Sequence, residues 1–222
     1  MTAPPPESAA FWSFFNDVAA PRLAHREDTF RQTFQYLDRF PAPITIVETG
    51  CVRTRDNWEG DGQSTVLFDR YVSARGAGSH CFSVDISPTN VALCRAIVGE
   101  NVSVTASDSV TFLNVLTRQF VAQQVKVNLF YLDSFDLDHI YWFPSAAHHL
   151  KELVAAWRAI DKETLVMVDD CPQSAQIYRV KDTTHSALPP FVGGKGRLVA
   201  EFAHEVGVQP LFSNYQAGWI GF

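Results

Sequence analysis

At 222 residues, with 46% apolar and 19% charged side chains and with seventeen Phe and five Trp, the chain cannot be disordered or fibrous. A chain of this size buries roughly 70% of its unfolded surface, which fits one large domain built without disulfide or metal staples. Eighteen basic residues against 24 acidic ones leave a net charge of -6, and no run of Lys or Arg offers the footprint that a phosphate backbone requires, so nucleic acid is not expected as a partner. No apolar stretch approaches the roughly eighteen residues of a membrane span, and the N-terminus reads MTAPPPESAAFW with Arg22 as its first basic residue. A soluble, cytoplasmic protein with no membrane contact is expected. Cys51, Cys81, Cys94 and Cys171 show neither a C-x-x-C pair nor zinc spacing, the pattern of reduced thiols, and Cys171 reads as a small buried hydrophobe.

Phe11, Trp12, Phe14, Phe15 and Val18, then Phe30, Phe34 and Leu37, recur near helical spacing with Pro21 between them, which predicts two helices in an N-terminal extension over 1–43. From residue 44 to 222 short apolar runs alternate with amphipathic ones. ITIVETG precedes a helix from Ser64 to Arg75, HCFSVDIS a helix from Pro88 to Val98, and VSVTAS a helix near Val110 to Phe120. VNLFYLD precedes a helix from Ala146 to Ile160, and TLVMVDD follows. Repeated strand-then-helix order is the signature of a parallel sheet covered by helices on both faces. Ser87 before Pro88 is an N-cap followed by proline at the first helical position, and Leu150, Leu153, Trp157 and Ile160 form one apolar stripe. Residues 171–193, which contain Pro172, Pro189 and Pro190, read as an irregular, substrate-facing loop. A helix ending at Gly207, a strand over Pro210 to Ser213 and a last strand through Trp219 to Phe222 close the chain as an antiparallel hairpin.

Each expected parallel strand ends in, or runs directly into, a carboxylate: Glu48, Asp85, Asp108, Asp133, and the pair Asp169 and Asp170. Open parallel sheets bind ligands beyond the carboxyl ends of their strands, so these acids should converge on one rim. Crowded carboxylates raise each other's pKa unless cations or hydroxyl donors meet them, and such a rim calls for a cationic or hydroxyl-rich ligand or a metal. Helix N-capping would account for one or two of the set. After Glu48, Gly50 permits a sharp turn, Gly60 and Gly62 allow backbone to approach a ligand, and Ser64 and Thr65 open a helix whose free N–H groups favour a carboxylate or phosphate. G-D-G-Q-S-T lacks the third glycine of a dinucleotide fingerprint and the lysine of a P-loop. Asp85 suits a ribose diol, and Glu48 beside Gly50 repels a pyrophosphate but accepts an ammonium or sulfonium. Asp136, Asp138 and His139 lie close after the fourth strand, and His139 is a candidate general base. Tyr131, Phe135, Tyr141, Trp142 and Phe143 either stack on an acceptor ring or pack under the N-terminal helices, while His149 reads as semi-buried and His148 as more outward.

On VETG (Val47 to Gly50), SVDIS (Ser83 to Ser87), ASDS (Ala106 to Ser109), FYLDS (Phe130 to Ser134) and MVDD (Met167 to Asp170), the chain resembles the class I methyltransferases that use S-adenosylmethionine (SAM). Within them it looks most like the small-molecule sugar O-methyltransferases of the macrolide and aminocoumarin type. The resemblance implies a Rossmann-like α/β fold with a seven-stranded, mostly parallel sheet and an antiparallel last strand. It implies Glu48 and Gly50 near the methionine end of SAM, Asp85 on the ribose, and Ser107, Asp108 and Ser109 near the adenine. Asp133, Asp169 and Asp170 would hold Mg²⁺, with Asp133 also at the reacting hydroxyl of a small acceptor such as a sugar or glycoside. The chain departs from that pattern in an insertion over Arg53 to Glu59 and in FYLDSFDLDH after the fourth strand. A homo-oligomer is compatible with this reading. The alternatives are a nicotinamide oxidoreductase, disfavoured by Glu48 and the missing glycine, and a non-catalytic partner protein that keeps the sheet.

Overall fold

A computed structural model describes residues 5–76, 78–180 and 183–222, and for 174–190 only the backbone is considered. Before the sheet lie α1 (Ala9–Phe14) and α2 (Glu27–Leu37), joined by short helical turns around Pro21. The apolar runs then become strands: β1 (Thr45–Thr49), followed by α3 (Trp58–Asp61) and α4 (Ser64–Arg75); β2 (His80–Asp85) with α5 (Pro88–Arg95); and β3 (Val102–Ala106) with α6 (Ser109–Gln123). Next come β4 (Leu129–Leu132) with α7 (Phe143–Ala156), β5 (Leu165–Val168), the pair β6 (Gln173–Val180) and β7 (Thr183–Val192), α8 (Arg197–Glu205), β8 (Pro210–Ser213) and β9 (Ala217–Trp219). Capping chemistry fixes two of these helix starts. The Ser87 side chain accepts from Asn90 N at the head of α5, and Asp108 accepts from Thr111 N at the head of α6.

Seven strands form one sheet in the order β3-β2-β1-β4-β5-β9-β8, with β9 antiparallel to both of its neighbours and β3, β2, β1, β4 and β5 paired in parallel. This is the expected Rossmann-like architecture. Every residue of β1, β4 and β5 is buried, because helices cover both faces. The period of two sends Ile46, Leu129, Tyr131, Leu165 and Met167 into a core with α2, α4 and the N-terminal aromatics. Val47, Phe130, Leu132, Val166 and Val168 enter a second core with residues of α6, α7 and α8. Phe34 is at the centre of the first, its ring 4.4 Å from Phe11 and 4.9 Å from Tyr71 between centroids. Among the described residues, no helix is long and apolar enough to cross a membrane.

Two expected elements differ. The stretch read as an irregular loop holds β6 and β7, an antiparallel ribbon separate from the main sheet. Its prolines suggested a loop, but the ladder shifts register between Ser174 and Gln176, and Pro189 and Pro190 lie between their partners Phe191 and Ala187. At such a bulge the missing proline N–H breaks no ladder bond. The helix expected to reach Val98 keeps α-helical form only to Arg95 and then closes in turns. Phe34→Ala should lower unfolding free energy by about 3–5 kcal/mol, read from urea denaturation, because the site is walled by rigid aromatic neighbours that cannot collapse into the cavity.

Candidate active site

Strand order reverses between β1 and β4, and a cleft opens there above the strand ends. Gly50 turns the chain at that point with φ +83°, and a Cβ on it would overlap the backbone carbonyl of Asp133, so the close approach of the two strand ends requires glycine. The cleft has two compartments. The first is lined by Gly50, Asp61, Ser64, Arg53, Asp133 and Lys195, and the second by Val84, Ile86, Asp108, Ser109, Phe135 and His148. Asp85 and Ser134 line both and form the partition. Asp85 is held for this place by Ser87 N at 2.7 Å on Oδ1 and by the Asn90 amide at 3.3 Å on each oxygen.

Glu48 lies beneath the cleft rather than in its wall. It is fully buried and accepts from the hydroxyls of Ser64 (2.6 Å), Thr65 (2.7 Å) and Ser83 (2.5 Å). Burial pushes its carboxyl up to about 7 although the hydroxyls pull the other way. Its work is to tie the start of α4 to β1 and β2. Thr65 is likewise buried, its Oγ1 also accepting from Val52 N at 2.9 Å, and only Ser64 of the pair reaches the cleft. Gly62 takes φ +69° to end α3 and faces the Arg26 side chain, outside the cleft lining. On the other side Asp108 and Ser109 line the second compartment, whereas Ser107 does not. Ser109 Oγ meets His148 Nε2 at 2.9 Å, and His148 sits 3.4 Å from the buried carboxylate of Glu152.

Asp133, Asp169 and Asp170 converge as the sequence predicts, but two side-chain cations already meet them. The ammonium of Lys195, from the turn before α8, pairs with Asp133 Oδ1 and with Asp170 Oδ2 at 2.9 Å. The Arg26 guanidinium, from the segment before α2, takes Asp169 at 3.0 Å and Asp170 at 3.0 Å. Tyr131 and Tyr215 donate to Asp169 and Asp170 at 2.8 and 2.7 Å. Magnesium needs oxygens free to form a near-octahedral shell, and these residues do not fit it, since five of their six carboxylate oxygens face Lys or Arg. Among the described residues, no cluster of three His, Cys, Asp or Glu side chains is disposed to hold a metal. The expected Mg²⁺ site is therefore corrected to an ion-pair cluster.

The cluster separates the acids chemically. Burial works to raise Asp170, and the Lys195 ammonium, the Tyr215 hydroxyl and Arg26 outweigh it, holding the carboxyl at about 2. Burial raises Asp133 well above the ordinary carboxylate range against the pull of Lys195, and the negative neighbours Asp169 and Asp170 add to the rise. Asp133 Oδ2 takes no hydrogen bond from the described residues and Asp133 lines the cleft, so this oxygen is available to a ligand. His139 is exposed and lines neither compartment. Two further groups were not anticipated in the first compartment. Asp61 Oδ2 is buried with no hydrogen-bond partner, an acceptor without a donor. Arg53 bridges Asp61 at 3.2 Å and Asp136 at 2.7 Å, linking the loop after β1 to the loop after β4. Asp61 lies inside the G-D-G-Q-S-T segment between its two glycines, whereas Arg26 and Lys195 carry no local signal beyond the glycines around Lys195.

The strand order, the reversed β9 and the cleft above β1 and β4 make a Rossmann-like fold. A protein from Clostridium thermocellum bearing the name of an rRNA methylase has a similar structure, with a TM-score of 0.50 and 14% identity over 87% of this chain and 97% of that one. No family model and no curated protein matches the sequence.

Glu48 also gives the fold a pH dependence. Its folded carboxyl titrates at about 7 against an ordinary 4.5, so the folded state holds the proton more tightly and stability falls as pH rises through that window. Wild type should lose on the order of 3 kcal/mol between about pH 4.5 and about pH 7 that Glu48→Gln does not lose, measured by urea denaturation across the range. Gly50→Ala should fold less stably and lose ligand binding in the cleft, read by thermal shift, because its Cβ pushes β4 away from β1.

Proposed function

We propose that the chain is a SAM-dependent O-methyltransferase acting on a hydroxyl of a small, hydroxyl-rich acceptor such as a sugar or glycoside. The observation that carries this reading is the pair of compartments meeting at Asp85. A nucleoside with an amino-acid tail has that shape: diol at the partition, base on one side, charged tail on the other. The second compartment would take adenine between Ile86 and Phe135, with Asp108, Ser109 and His148 at its polar edge. In the first, the donorless oxygen of Asp61 fits an α-ammonium, and Ser64 with the head of α4 fits the α-carboxylate. Five Asp and three Arg or Lys side chains line that compartment, an acidic excess that favours a sulfonium and opposes both a pyrophosphate and a nucleic-acid backbone.

When bound, SAM supplies an electrophilic methyl group on a cationic sulfur. The chain supplies alignment and a place for the proton. Asp133, open at Oδ2 and with its carboxyl raised by burial, would accept the acceptor's hydroxyl proton as the oxygen attacks in line. Tyr141 and Trp142, exposed between β4 and α7, offer apolar faces of the kind that sugar rings stack upon.

The demethylated product S-adenosylhomocysteine should raise the melting temperature, and NAD and NADP should not. Asp85→Ala should weaken that binding at least about tenfold through loss of charged hydrogen bonds to the ribose. Incubation with SAM and a panel of glycosides, small alcohols and RNA should add one methyl group to a glycoside, read by mass spectrometry. A shift with NAD alone would assign the cleft to a nicotinamide enzyme, methylation of RNA alone would overturn the acceptor class, and binding without transfer to any acceptor would favour a non-catalytic role.

A further inference from the structure

Lys195 is a buried ammonium in the cleft wall, 2% exposed in its side chain. Local structure places it deliberately. Gly194, at φ +51°, would overlap the Asp170 carbonyl if it carried a Cβ, and a Cβ on Gly196 would overlap the Cys171 sulfur. Two glycines thus let the backbone press against the end of β5, where Lys195 N donates to Asp170 O at 3.1 Å and the side chain reaches across to Asp133 at the end of β4. An ammonium has three donors. Asp133 Oδ1 and Asp170 Oδ2 occupy two, and no other described group meets the third.

We propose that Lys195 is the resident cation of the acceptor pocket: it stands between Asp133 and Asp170 in place of a divalent ion, fixes Asp133 through Oδ1 so that Oδ2 faces the acceptor hydroxyl, and offers its remaining N–H to the oxygen that becomes methylated. The inference rests on the methyltransferase reading for the last step alone, because the displacement of a metal by Lys195 is a property of the cluster itself. As the acceptor proton passes to Asp133, negative charge develops on the oxygen beside a fixed positive one in a buried site, where such stabilisation is strong; the O–CH3 bond then forms as the S–CH3 bond breaks, its electron pair staying on sulfur in the neutral thioether product. No bond to Lys195 forms or breaks. The position also explains why three strand-end acids sit together without mutual repulsion unravelling the rim.

The test uses the full chain with Mn²⁺ as a spectroscopic probe and S-adenosylhomocysteine as the cleft ligand. Wild type should bind no stoichiometric Mn²⁺ by electron paramagnetic resonance, with or without S-adenosylhomocysteine, and methyl transfer should run equally fast in chelator and in excess Mg²⁺. Lys195→Met should retain the S-adenosylhomocysteine melting shift while kcat falls by about 100-fold, the usual loss for one preorganised charge donor. Lys195→Arg should recover part of that loss. Stoichiometric Mn²⁺ binding to wild type that is abolished in Asp133→Asn, or activity that dies in chelator and returns with Mg²⁺, would overturn the proposal, as would full kcat in Lys195→Met. If Lys195→Met does not fold, the Mn²⁺ titration of wild type still decides the central point. If S-adenosylhomocysteine does not bind wild type at all, the methyltransferase reading falls while the Mn²⁺ result continues to judge the resident cation.

Discussion

Arg26 reaches 143 positions along the chain to Asp169, and the arrangement of the acids after β4 and β5 depends on that contact and its extensions. The guanidinium is 4% exposed and Asp169 1%, a degree of burial at which unpaired charges are untenable. Thr29 on α2 donates to Gln216, Gln216 to Tyr131 on β4, and Tyr131 to Asp169 after β5, so one hydrogen-bonded path ties the N-terminal helices to three strands. Removing one member of such a network leaves a buried charge alone and costs about 3–5 kcal/mol, whereas the intact network contributes little net stability. Its value is geometric. It fixes the ends of β4 and β5 against each other and fills the space between with cations of known position.

The sheet was legible because its signals are local. Continuous apolar runs such as TIVET and LVMV mark strands buried on both faces, and Ser87-Pro88 marks a helix start within two residues. The convergence of the acids followed from topology alone, since parallel strands must all end on the same edge. What met those acids was not legible. Lys195 lies 62 residues from Asp133, and no spacing rule connects an N-terminal arginine to an acid at the fifth strand. Glu48 shows the complementary limit: its strand position was clear, but whether its carboxylate enters the cleft or turns beneath it depends on Ser64, Thr65 and Ser83, three hydroxyls brought together only by folding.

This division assigns different work to acids that look alike in sequence. Glu48 organises the helix start, Asp85 forms the partition, Asp108 caps α6 at the rim, Asp169 anchors Arg26, and Asp133 keeps one oxygen open. The two cations that meet the acids after β4 and β5 come from outside the strand ends, and they offset two of the three negative charges gathered there.

The rim has a second, looser set of ion pairs. Arg53 joins Asp61 and Asp136 across the opening with its own side chain 48% exposed and that of Asp136 76% exposed. Contacts so wet are worth at most about 1 kcal/mol and weaken as salt rises. The floor of the cavity is thus held by buried ion pairs and its rim by solvent-exposed ones. Rising ionic strength should therefore loosen the join between the loops after β1 and β4 before it reaches the buried pairs beneath.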